Sequence, residues 1–219
     1  MSGSVFMNRL VTTLYIGLAT ICFVHAQGEW KLRKETDGIT AFTRKIEGSK
    51  FDEYRVETTM DGSLSSFYAL MKDFDSYPQF FPDTENIQIL KDSPEEHIIY
   101  IHTNAPFPAK DRDGVFSNVF SFSDDRELLR IDIACVDDGY VPNKKLIQIK
   151  KCGGFWEVRQ KSEDEIFVKH QFVADPGGKV PAFIINLKTV QNPIKTLKSI
   201  RENIKSSKYQ IDQLPSFND

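Results

Sequence analysis

From about Pro181 to Lys208 apolar residues recur every three or four positions, at Ile184, Leu187, Val190, Ile194, Leu197, Ile200 and Ile204. Lys188, Lys195, Lys198, Arg201 and Lys205 fall mainly on the other side. That stripe predicts one long amphipathic helix, which needs a broad apolar surface to cover. Pro193 inside it removes an intrahelical hydrogen bond and crowds the carbonyl four residues earlier, so a kink, or a junction of two helices, is expected there.

The surface comes from what precedes the helix. "ITAFTRKI" and "FDEYRVETTM" alternate at period two around the turn "EGSK", as a hairpin does. "SLSSFYALMKDF" then places Leu64, Phe67, Leu70, Met71 and Phe74 at helical spacing behind Ser63, an N-cap residue. "DSYPQFFPD" stops that helix with two prolines and forms a connector that leaves Tyr77, Phe80 and Phe81 exposed or half buried against one end of a sheet. Five or six strands follow: "ENIQILKD", "EHIIYIHTNA", "DGVFSNVFSFS", "ELLRIDIACV", "KLIQIKKCGGFWEVRQ" and "EIFVKHQFVAD". Short charged joints such as "SPEE" and "KSED" make them an antiparallel meander. The final "YQIDQLPSFND" reads as a loose tail.

The first 26 residues stand apart. Arg9 is the sole charge of the head, Leu10–Val24 is an apolar run, and Val24-His25-Ala26 sets small residues at the −3 and −1 positions of a leader-peptidase site. The run is ~15 residues, short of the ~20 that a spanning helix needs. The expected organisation is therefore a signal peptide over 1–26, one domain over 27–208 and a tail over 209–219, with the protein exported to a periplasmic or extracellular space. Ile21 before Cys22 argues against a lipoprotein. Loss of Arg9 changes the formal charge from −3 to −4. An acidic balance disfavours a nucleic-acid partner. The chain is expected to be a monomer.

Two cysteines remain, Cys135 and Cys152, in a compartment that permits disulfides. Cys135 is in phase with Ile131 and Ile133, whereas Cys152 is out of phase with Ile147 and Ile149, and opposite faces need a local irregularity before they can be bridged. Gly153-Gly154 could supply one, so the pairing stays open.

The strand faces carry the functional signal. In "RDGVFSNVFSF" one face holds Arg112, Phe116, Asn118, Phe120 and Phe122. In "EIFVKHQFVAD" the more apolar face holds Ile166, Val168, His170 and Phe172. Each apolar face thus includes polar members, which fits either a solid core or an elongated apolar pocket for a lipid-like ligand. Arg112 is either paired with Asp111 or Asp113 at the strand entrance, since an unpaired buried guanidinium is costly, or it serves the ligand. The sequence has no G-x-S-x-G, H-E-x-x-H, C-x-x-C or phosphate-binding glycine loop, so neither a cofactor nor a metal is expected. His97 and His102 are five apart on one strand and point to opposite faces, a poor metal pair.

"W-x7-GI-x-AFTR" (30–44), "EYRVET" (53–58), "YPQFFPD" (77–83), "PFPAKDRDGV" (106–115), "GGFWEV" (153–158) and "ADPGGKVPAFIIN" (174–186), in this order before a long helix, resemble the START (StAR-related lipid transfer) family in its bacterial single-domain form. The resemblance covers about 30–205. It implies an α+β helix-grip fold, with an antiparallel sheet wrapped around the C-terminal helix and a hydrophobic tunnel between them. It also implies one bound lipid or sterol-like molecule, transient membrane contact and access through movement of the helix and nearby loops. The family's proline-flanked R-D motif falls on Pro106, Pro108, Arg112 and Asp113, and its D-P-G-G turn on 175–178.

A noncatalytic binding protein is the first expectation. Phe116, Phe120, Ile133, Ile166, Val168 and Phe172 would form the wall, Ile184 and Leu187 the helix side, and Arg112, Asn118 and His170 would fix a polar head. The alternatives are a cyclase or hydratase in which His170 or Tyr100 acts as acid or base, and a protein whose cavity is filled by its own side chains.

Overall fold

The computed structural model describes residues 28–105, 107, 109–137, 143, 145–211 and 214–215. The expected signal peptide, Pro106 and Pro108 lie outside the described residues. The chain opens with strands β1 (Lys31–Thr36), β2 (Ile39–Lys45) and β3 (Asp52–Asp61). Helix α1 (Leu64–Met71) and a single helical turn, α2 (Tyr77–Phe80), lead into β4 (Thr84–Asp92), β5 (Glu96–Thr103), β6 (Arg112–Phe122) and β7 (Leu128–Cys135). A short β8 (Ile147–Gln148), then β9 (Lys151–Ser162) and β10 (Glu165–Asp175), complete the sheet before helix α3 (Ala182–Asn203).

The strand order is β1-β2-β3-β10-β9-β7-β6-β5-β4, with β8 off the path and pairing with β6. The six strands β4, β5, β6, β7, β9 and β10 form the antiparallel meander read from the sequence, each beside the next. The short β8 pairs in parallel with β6, and β10 also pairs with β3, so the two parts of the chain join into one sheet. Alternation dictates the buried faces: in β2 Ile39, Ala41 and Thr43 are buried while Thr40, Phe42 and Arg44 are half buried.

Ser63 caps α1 as its position predicts, its Oγ accepting from the Ser66 amide at 3.1 Å. The connector after α1 differs from expectation. Tyr77 and Phe80 are buried rather than exposed, because Pro78 sits in the first turn of α2 and lets the segment curl inward. The Tyr77 hydroxyl then donates to the Met71 carbonyl at 2.6 Å.

Helix α3 is continuous through Pro193. Its Ile194, Leu197, Ile200 and Ile204 join Ile39, Val56, Ile166 and Val168 of the sheet and Phe67 of α1 in the main core. Gly177 and Gly178 of the turn before it both have positive φ, 64° and 67°, the backbone region that favours glycine. The tail is less loose than its composition implies: Tyr209 is buried and its hydroxyl donates to Asp73 at 2.6 Å.

Cys135 and Cys152 are bonded, with Cα atoms 5.2 Å apart. The phase conflict read from the sequence assumed one strand through "LIQIKKC". Instead β8 stops at Gln148 and pairs with β6, while β9 starts at Lys151 beside β7, so the alternation restarts before Cys152.

Candidate functional site

A space of about 170 Å³ lies against the sheet, and six neighbouring strands reach it: Tyr54 from β3, His170 from β10, Trp156 from β9, Ile133 from β7, Phe116 from β6 and Ile99 from β5. Flat strands set roughly 4.8 Å apart would spread such a row over about 24 Å. A small chamber shared by all six requires the sheet to curl around it. Met71, Tyr77 and Phe81 close it from the α1 and α2 side.

The polar members of this floor are few and uncharged. His170 stacks on Trp156 with ring centroids 3.7 Å apart and planes 10° from parallel. The Tyr54 hydroxyl lies 3.2 Å from its Nδ1. Burial pushes the imidazole down to about 3, so it is neutral at ordinary pH, and burial likewise pushes the Tyr54 phenol up. Asn118 adds a carboxamide to the lining.

The chamber does not end at the sheet. Tyr54, Phe81, His170 and Phe172 also border a second space of about 270 Å³ that runs under α3. Pro176, Ile185, Lys188 and Asn192 of that space border a third, of about 530 Å³, which opens between α3 and the segment around Phe107. The three spaces follow one another from His170 toward the surface and share wall residues, with the first turns of α3 over the outer two.

Arg112 stands at the outer end of that series. It is buried, yet neither Asp111 nor Asp113 forms an ion pair with it. Its guanidinium donates to the backbone carbonyls of Lys110 and Pro176, and Nη2 has no partner. Asp111 instead accepts from the Ala105 amide at 2.9 Å and faces His102 at 3.2 Å. Asp113 is on the far face with Tyr100.

Among the sequence candidates, Phe116, Asn118, Ile133, His170 and Phe172 line the inner chamber, while Arg112 and Ile184 line the outer space. Phe120, Ile166 and Val168 lie in the solid core, where α1 and the second half of α3 have filled the groove. Leu187 is 58% exposed and borders none of these spaces. Tyr100 is turned away from the chamber and packs with Ile98 and Val115.

Reasoning from strand faces missed Tyr54 and Trp156, which β10 brings in by register: Tyr54 is opposite Phe172, and Trp156 is opposite His170. The signal available was "GGFWEV". At Gly154 a Cβ would lie 2.1 Å from the Gln171 carbonyl oxygen, so only glycine allows β10 to approach and present Phe172 to the cavity.

An antiparallel sheet curled against a long terminal helix, with an apolar chamber between them, is the helix-grip arrangement, and the fold is that of StAR-related lipid transfer (START) domains. A STAR-related lipid transfer protein from Xanthomonas axonopodis matches it with a TM-score of 0.74 and 28% identity, over 80% of this chain and 98% of the other. An uncharacterised Pseudomonas aeruginosa protein is 28% identical over 174 residues, 79% of this chain and 85% of its own length. Mouse phosphatidylcholine transfer protein is 24% identical over 162 residues, 72% of this chain and 75% of its own. No protein-family model matches the sequence. Among the described residues, no helix is long and apolar enough to cross a membrane.

Proposed function

We propose that this protein binds one lipid or other hydrophobic molecule, without catalysis, in the cavity between sheet and helix, and carries or senses it. The observation behind the reading is the apolar inner chamber, with uncharged Tyr54, Asn118 and His170 in its wall, and the further spaces that share wall residues with it beneath α3. Burial of ligand carbon supplies the affinity, at about 25 cal/mol per Å² before the costs of association. His170 is held by a phenol and an indole, and among the described residues no carboxylate bonds to it, which favours binding over acid–base chemistry.

Access is by movement of the first turns of α3 and the segment around Phe107. Phe107 and Phe183 beside the mouth are 97% and 74% exposed, as expected of side chains that touch a membrane during loading. The protein is exported as a monomer after loss of residues 1–26, a route consistent with the Cys135–Cys152 bond.

Native mass spectrometry of the purified protein, followed by solvent extraction, tests the reading. A stoichiometric lipid is expected, and Ile133→Trp, which fills the chamber, should lose it while keeping the wild-type circular dichroism. A protein that is empty and takes up nothing from a lipid extract would overturn the proposal in favour of a side-chain-filled core.

A further inference from the structure

The two ends of the cavity differ in charge. Around the inner chamber the titratable groups are Tyr54, Tyr77 and His170, all neutral at ordinary pH. Around the outer space Arg112, Lys179 and Lys188 face one carboxylate, Asp83, which is already held by Lys188 and by Asn192 at 3.0 Å. An ionised head group at the inner end would lose its hydration with no counter-charge, a cost of several kcal/mol by rough estimate. At the outer end the balance is reversed.

Arg112 sharpens this. Its residue exposure is 6%, its Nε and Nη1 are spent on main-chain carbonyls, and its Nη2 is buried without a partner. A guanidinium so placed, with Asp111 acting on it only through its field, is an incomplete ion pair. Its planar fork suits carboxylate and phosphate oxygens. The backbone bonds fix its plane, so little side-chain entropy remains to be lost when an anion arrives.

We infer that the ligand is an amphiphile with an anionic head, a carboxylate or a phosphate monoester, that enters tail first and leaves its head on Arg112 at the outer end of the cavity. This rests on the cavity being a ligand site, as proposed above. Lys179, exposed on the rim, adds long-range attraction, whereas Lys188 stays with Asp83. The tail passes under Ile184 and Ile185 toward Phe172 and Ile133.

The test is equilibrium binding of radiolabelled palmitate, hexadecyl phosphate and hexadecanol to the delipidated, disulfide-bonded protein at pH 8. One or both anions should bind at least about tenfold more tightly than the alcohol, the order expected for one charge-assisted contact. Preference for palmitate identifies a fatty-acid-like ligand, and preference for hexadecyl phosphate identifies a phosphorylated one. Arg112→Gln should remove most of that preference and leave hexadecanol binding within about twofold.

Equal or tighter binding of the alcohol overturns the inference and leaves the binding function intact. A preference that survives in a folded Arg112→Gln protein overturns the assignment to Arg112. The wild-type comparison stands even where that variant fails to fold. Failure of all three probes to bind also overturns the inference, and the native mass spectrum then decides whether the binding function falls with it.

Discussion

The two halves of α3 are one helix in two different situations. Beyond Pro193 the helix is fixed: Ile194, Leu197, Ile200 and Ile204 are at most 5% exposed. Arg201 donates to the Asp37 carbonyl at 2.7 Å and to Thr58 Oγ1, Lys198 pairs with Asp37, and Lys205 reaches Asp61 at 2.5 Å. Before Pro193 the apolar side chains are half buried or exposed, with Phe183 and Leu187 outermost, and the underside faces the cavity. That end also begins at Pro181 without a side-chain cap or an acidic residue in its first turn. Its ties are Lys188 and Asn192 to Asp83, and Asn186 Oδ1, which accepts from the Asp52 amide at 3.2 Å. The lesson is that the lysines of a single amphipathic pattern do not share one role. Those near the C-terminus tie the helix to the sheet rim, while the less buried N-terminal half is expected to have the lower local stability.

The comparison breaks first if Leu197→Ala and Leu187→Ala behave alike in urea unfolding. Leu197→Ala should cost about 2–5 kcal/mol by leaving a core cavity, whereas the exposed Leu187 should change stability by less than about 0.5 kcal/mol. Acidification probes the sheet at two buried histidines, His170 near the first half of α3 and His97 on the α1 side. Burial pushes His170 and His97 each down to about 3, with Lys72 adding to the effect at His97. The unfolded histidines take protons near 6.5, so below that pH the unfolded chain binds more protons and stability falls until about pH 3. The slope should be about 1.4 kcal/mol per pH unit for each histidine, and His170→Gln should remove one share of it. Arg201→Ala should cost about 1–2 kcal/mol, through two lost hydrogen bonds, and should speed amide exchange in the second half of α3. The smallest effect on stability is expected for Phe183→Ser, within about 0.5 kcal/mol, with slower lipid uptake from vesicles as its signature.

Local patterns in the sequence carried most of the elements, because period-two runs and the long apolar stripe each have one efficient burial. The join between the two parts of the sheet was hidden, since nothing local in "EIFVKHQFVAD" says that it pairs with "FDEYRVETTM" more than a hundred residues earlier. The same gap affected the site. A strand face shows which side chains are inward, but only packing decides which are covered by helix and which border open space. Phe116 and Phe120 share a face, yet Phe116 lines the chamber while Phe120 packs between Tyr68 and His97. The cysteines were misleading for a similar reason: a break of two residues between β8 and β9 resets the alternation, and composition does not announce it.

The stack of Trp156 on His170 also makes the protein its own indicator. The chain has two tryptophans, and the other, Trp30, lies outside the chamber beneath the guanidinium groups of Arg44 and Arg55. Trp30→Phe therefore leaves one indole, set in the wall of the proposed ligand chamber. Its emission would report filling and emptying in real time, with no label attached and no change to the cavity.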